Sequence, residues 1–143
     1  MKTLKQLLAD KPKTLAVAAP DDSVFQALCV MAEYNVGALL VLQDGKLVGI
    51  FSERDYARKQ IRNQRSSKET PVRDLMSARV AYVGIDATLE ECMSLMTEKR
   101  FRHLPVLDDQ GQVLGILSIG DLVKETISAQ QFLIGELERY ITS

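Results

Sequence analysis

The chain has 143 residues, with 18 lysines and arginines against 19 aspartates and glutamates, for a formal charge of −1. That length admits one compact domain, or two very small ones that share a core. The near-neutral balance argues against a general polyanion or nucleic-acid binder, and no apolar run approaches the ~18 residues that a membrane span needs.

The N-terminal MKTLKQLLADKP lacks the continuous apolar stretch of a secretory signal. It reads instead as a short amphipathic helix within 1–13, with Leu4, Leu7 and Leu8 on one face. The two cysteines, Cys29 and Cys92, form no CxxC pair and have no histidine nearby in sequence. A reducing, cytoplasmic setting follows as the simplest expectation, with both cysteines as buried small apolar side chains.

From residue 17 the chain says nearly the same thing twice. VAAPDDSVFQALCVMAEYNVGALLVL (17–42) aligns with YVGIDATLEECMSLMTEKRFRHLPVL (82–107), so that Asp21 meets Asp86, Met31 meets Met96, and Leu39 and Val41 meet Leu104 and Val106. One extra residue enters the second copy's turn, DDQG against QDG. Beyond it Gly45, Gly49, Ile50, Ser52 and Asp55 meet Gly111, Gly115, Ile116, Ser118 and Asp121. We read this as an internal duplication.

Each copy predicts the order β-α-β-β-α. A short apolar strand (15–18; 80–83) leads to Asp-Asp-Ser or Asp-Ala-Thr, a helix N-cap signal. Val24, Leu28, Met31 and Ala32 recur at helical spacing, as do Leu89, Met93 and Met96. Two apolar strands joined by a glycine-containing turn follow, and a second helix starts at Ser52 or Ser118. A unit of about 50 residues buries too little apolar surface to be secure alone, so the two copies are expected to share a core. Between them 62–78 reads as a linker, polar through RNQRSSKET, with Pro71 opening a turn of helix. The end of the chain reads as one long helix with an apolar stripe of Val123, Ile127, Ile134, Leu137 and Ile141. Its excess length, 127–143, is expected to pack on the N-terminal helix or on a second subunit.

The stretches GIFSERD (49–55) and GILSIGD (115–121) carry the chemistry. Ser-x-x-Asp at a helix start is a capping box. The same geometry suits a ligand: a helix N-terminus with a serine hydroxyl favours phosphate, and an aspartate one turn on accepts from a pair of hydroxyls such as a ribose diol. The glycine near the end of the preceding strand permits close backbone approach. His103, the sole histidine, stands apart from any cysteine cluster, and no metal site is expected. The basic 54–68 segment reads as a solvated face rather than a nucleic-acid patch. No activated nucleophile or paired carboxylates are visible, so no catalytic residue is expected.

The duplication, the two GhxSxxD stretches, RHLPVLD (102–108) and VRDLM (72–76) together resemble a pair of cystathionine-β-synthase (CBS) domains, a Bateman module, over roughly 14–60 and 79–126. The resemblance implies an α/β (α+β) fold in which repeats 14–61 and 79–126 pack about a pseudo-twofold axis, with flanking N- and C-terminal helices. It implies a non-catalytic regulatory module, an energy or redox sensor, that binds AMP, ADP, ATP, S-adenosylmethionine or NAD(H) in two clefts. Carried over residue by residue, one cleft uses Ser52, Arg54 and Asp55 with Ala81, Tyr82, Arg102 and His103. The other uses Ser118, Gly120 and Asp121 with Thr14, Ala16, Gly37 and Ala38. On that assignment the first cleft is cationic and suits a phosphorylated adenosine, whereas the second keeps the ribose acid and lacks the arginines. A homodimer acting on a downstream protein is expected, without membrane or nucleic acid. The alternative is a dimerisation or interaction scaffold with degenerate ligand sites.

Overall fold

The computed structural model describes residues 2–11 and 15–142, which form two compact units. The elements run in the order α1 (Leu4–Ala9), β1 (Val17–Ala18), α2 (Val24–Tyr34), β2 (Ala38–Gln43), β3 (Lys46–Ser52), α3 (Glu53–Lys59), α4 (Val72–Leu75), β4 (Val83–Gly84), α5 (Leu89–Lys99), β5 (His103–Leu107), β6 (Val113–Ser118) and α6 (Ile119–Thr142). The first unit contains 15–82, and the second contains 2–11 with 83–108 and 114–142. The fold is mixed α and β, as expected, with two three-stranded sheets ordered β1-β2-β3 and β4-β5-β6. The first strands are shorter than 15–18 and 80–83 suggested, because only Val17–Ala18 and Val83–Gly84 find a parallel partner, in β2 and β5.

In the first unit α2 starts at a capping box of Ser23 and Gln26 and stops at Asn35, which takes the left-handed conformation at φ 53°. Its buried face is Val24, Ala27 and Met31, packed with Leu39, Val41, Phe51, Val72 and Leu75. Each such large side chain taken fully out of water contributes about 1.5–3 kcal/mol. The β2–β3 hairpin closes through Asp44 and Gly45, both at positive φ, the demand of a two-residue turn between twisted strands. The 62–78 segment, read as a linker, is part of this unit. Pro71 precedes α4, Val72 and Leu75 are core residues, and Thr70 is buried with its hydroxyl bonded to Asn63 and Ser66.

The second unit repeats the pattern. The buried face of α5 is Leu89, Cys92 and Met96, the counterparts of Val24, Ala27 and Met31, and the helix ends on left-handed Arg100. Cys92 is buried as expected. Cys29 is exposed, which corrects the expectation for it. It lies two residues past Ala27, about 200° round the helix from the buried face. The N-terminal helix belongs here: Leu4 is buried, and the Lys2 backbone N–H donates to Glu125 Oε1 at 2.9 Å. The distal stripe of α6 is left open, with Val123, Ile127, Ile134, Leu137 and Ile141 all between 46 and 80 % exposed. Among the described residues no helix is long and apolar enough to cross a membrane.

The paired glycines Gly49 and Gly115 meet protein at close range. A methyl group on Gly49 would stand 2.7 Å from Met76 Sδ and 3.0 Å from the Ser77 carbonyl, where Ile50 and Ser77 bridge. On Gly115 it would stand 2.7 Å from Leu8 Cδ2. A leucine tip can move aside more cheaply than backbone. Gly49→Ala is therefore expected to destabilise the protein by about 1–3 kcal/mol, and Gly115→Ala by less, as read from urea denaturation midpoints.

Candidate functional site

Ser52 ends β3 in an extended conformation and caps α3. Its hydroxyl accepts from the Asp55 N–H at 3.1 Å, while Asp55 Oδ2 accepts from the Ser52 N–H at 3.0 Å and the Ser52 hydroxyl at 2.9 Å. Asp55 Oδ1 accepts from the Ser77 hydroxyl at 3.1 Å and lies 3.6 Å from the Lys59 ammonium. Lys59 in turn donates to the Leu75 carbonyl at 2.9 Å. The carboxylate is 16 % exposed, and these donors fill most of its acceptor positions. Arg54, in the same turn, is exposed.

The second turn has the same reciprocal pair. Asp121 Oδ2 accepts from the Ser118 N–H at 2.8 Å, and Ser118 Oγ accepts from the Asp121 N–H at 3.1 Å. Its cation comes from elsewhere in the chain. Lys11, from the N-terminal segment, places Nζ 2.5 Å from Asp121 Oδ2 and donates to the Ile116 carbonyl at 2.8 Å. The residue in the place of Lys59 is Glu125, which is buried. Burial by itself raises the Asp121 carboxyl, but hydrogen bonds from Lys11 and Ser118 and the Lys11 charge outweigh it and hold the group below its usual value. Burial pushes the half-buried His103 imidazole below its usual value; Lys11 and Arg102 push the same way and Asp121 opposes.

Each strand start lies against the turn of its own repeat. The Glu53 N–H donates to the Gly37 carbonyl at 3.0 Å, and Ala38 pairs with Ser52. The Ile119 N–H donates to the Arg102 carbonyl at 2.9 Å. Antiparallel pairing in the hairpin dictates this, since the first residue of one strand opposes the last of the next. Inside the first unit, then, Ser52, Arg54 and Asp55 stand with Gly37 and Ala38. Inside the second, Ser118, Gly120 and Asp121 stand with Arg102 and His103. The sequence reading grouped the strand starts with the opposite turns.

Of the remaining candidates, Ala16 packs against the first core, Ala81 is half-buried and Tyr82 is 59 % exposed. Thr14 lies outside the described residues. Sequence reasoning missed Lys11, Lys59 and Ser77. The signal for Lys11 was a charge inversion: the duplication carried on past Asp55 and Asp121 sets Lys59 against Glu125. A cleft of about 790 Å³ between the N-terminal segment and the turn before α5, lined by Lys2, Lys5, Leu8, Asp86, Thr88 and Leu114, holds none of the predicted residues. Among the described residues no group of three or more His, Cys, Asp or Glu is placed to hold a metal.

The family model of the CBS domain matches residues 12–62 and 72–128. The mitochondrial CBS domain-containing protein CBSX3 of Arabidopsis thaliana is 40% identical over 126 residues, 85% of this chain, which spans 61% of that relative's length. A solved CBS domain superposes with a TM-score of 0.83 at 55% identity, over 89% of this chain and 99% of that one. CBSX2, solved in complex with AMP, superposes with a TM-score of 0.67 at 31% identity, over 82% and 90%. The chain belongs to the CBS-domain family, with two copies of the domain.

His103 and Asp121 each contribute to the acid side of the stability profile. A histidine held below its free value leaves the unfolded chain binding more protons, so the contribution of His103 is fully present above about pH 6.5 and is lost as the pH drops through the folded value. Asp121 acts likewise at lower pH: its contribution is present above about pH 3.8 and is lost as the pH falls through its depressed folded value. Melting temperatures across pH 4–8 are expected to show the first loss in the wild-type chain, and His103→Gln is expected to flatten it.

Proposed function

We propose that this chain is a non-catalytic regulatory module that binds an adenosyl ligand, AMP, ADP, ATP, S-adenosylmethionine or NAD(H), at its two Ser-x-x-Asp turns and so reports on cellular energy or redox state. The observation that carries this reading is the pair of formed turns, each with a serine hydroxyl and an aspartate at the start of a helix and a cation on the acid. The AMP complex of CBSX2 supports the ligand class. Asp55 already holds the Ser52 and Ser77 donors, so a ribose diol would take the place of the Ser77 hydroxyl, exchanging one hydrogen bond for another. In Ala81, Tyr82, Arg102, His103, Ala16, Gly37 and Ala38 the reading has its remaining contact residues.

The test is a thermal-shift screen of nucleotide-free protein against AMP, ADP, ATP, NAD, NADH and S-adenosylmethionine, with GTP as the control. A ligand at ~100 times its Kd adds about 2.7 kcal/mol, which raises the melting temperature of a domain this size by several degrees. An adenosyl-selective rise is expected, and Asp55→Asn is expected to weaken binding by about 1.5–3 kcal/mol in titration calorimetry. No shift with any of them sinks the reading and leaves the turns as helix caps.

A second reading, self-association as a scaffold, is favoured by the open apolar face of α6, where Phe132 and Leu133 join the stripe at 70 and 58 % exposed. It is compatible with ligand binding, and we take the functional form to be a homodimer acting on a downstream protein in the cytoplasm. Sedimentation velocity is expected to give a dimer that Leu133→Glu shifts toward monomer; a monomer at all concentrations rejects it.

A further inference from the structure

The two turns meet their cations differently. At Asp55 the ammonium comes from Lys59, four residues on along the same helix, and stands back at 3.6 Å. At Asp121 that helix position is Glu125, engaged by the Lys2 backbone N–H, and the ammonium comes from Lys11, more than a hundred residues away in sequence. Lys11 is in direct hydrogen-bond contact with the acid and with the Ile116 carbonyl, so two of its three N–H donors are committed among the described residues. Its side chain and that of Asp121 are each about one-third exposed, and the exposed Arg102 and half-buried His103 lie on the strand start beside the same turn.

We infer that Lys11 is a specificity-determining residue of the Ser118–Asp121 turn, favouring a ligand that brings an anionic group over a neutral nucleoside. This rests on the adenosyl-binding reading above. A sugar hydroxyl seeking Asp121 Oδ2 finds that oxygen already held by Lys11 and must displace or share it. A phosphate oxygen instead gains the remaining N–H of the ammonium, a charge-assisted bond. The selectivity is thus supplied by a segment outside both CBS repeats, at the turn whose helix carries Glu125 in the place of Lys59.

The experiment is titration calorimetry of the full chain with AMP and adenosine, first in the wild type and then in an Asp55→Asn background that isolates the second turn. Lys11→Gln removes the charge while keeping a donor for Ile116 and Asp121, and Lys11→Arg is the conservative control. In the isolated background Lys11→Gln is expected to cut the preference for AMP over adenosine about fivefold, the scale of one partly exposed charge contact, while Lys11→Arg preserves it. A merely structural loss would weaken both ligands alike, so an unchanged ratio in Lys11→Gln overturns the inference. Binding in the wild type that vanishes in the Asp55→Asn background also overturns it, since the second turn then takes no ligand. Absence of any binding by the wild type rejects the adenosyl reading itself and the inference with it.

Discussion

The reciprocal bond between a serine at the end of a strand and an aspartate one turn into a helix is the constraint on which both repeats depend. It fixes where β3 becomes α3 and where β6 becomes α6, and it aims the first turn of each helix. Without it the serine and aspartate N–H groups at each junction would lack the partners they have here. The same junction lies against the start of the neighbouring strand, where antiparallel pairing brings Gly37 to Glu53 in one unit and Arg102 to Ile119 in the other. The structural cap and the candidate ligand site are the same atoms.

Around that shared turn the two copies have diverged in what covers them. In the first unit the close face of Gly49 is taken by Met76 and Ser77, and Ser77 also reaches Asp55. In the second, Gly115 receives Leu8 and Asp121 receives Lys11, both from the N-terminal segment. Two different stretches of chain therefore fill equivalent places, each with an apolar side chain over a glycine and a polar one on the acid. The inversion of Lys59 to Glu125 fits this exchange, since the buried Glu125 is itself satisfied by the N-terminal segment.

On the proposed adenosyl reading, such an arrangement links the ligand to the 62–78 and N-terminal segments. Whatever displaces a donor from Asp55 acts on the 62–78 segment through Ser77, and whatever displaces one from Asp121 acts on the N-terminal segment through Lys11. A binding event transmits a signal only where it changes the relative stability of two arrangements. On the proposed reading, these two contacts are bonds that a ligand would exchange.

Much of this was legible in the amino-acid sequence because it depends on local pattern. The duplication, the helical spacing of Val24 and Met31 or Leu89 and Met96, the hairpin at Asp44–Gly45 and the serine–aspartate turns all involve residues a few positions apart, where backbone sterics and side-chain period decide the outcome. The family resemblance followed from their order. Tertiary structure decided the rest. Ala27 was not marked as a core residue, and Cys29 was read as buried, because the buried arc of a helix depends on what packs against it. The contact of each strand start with the turn of its own repeat was not anticipated, because antiparallel pairing sets it only once the hairpin has closed. Lys11 on Asp121 joins residues 110 positions apart. No spacing rule reaches that far, and the docking of the N-terminal segment had to be seen to place the charge.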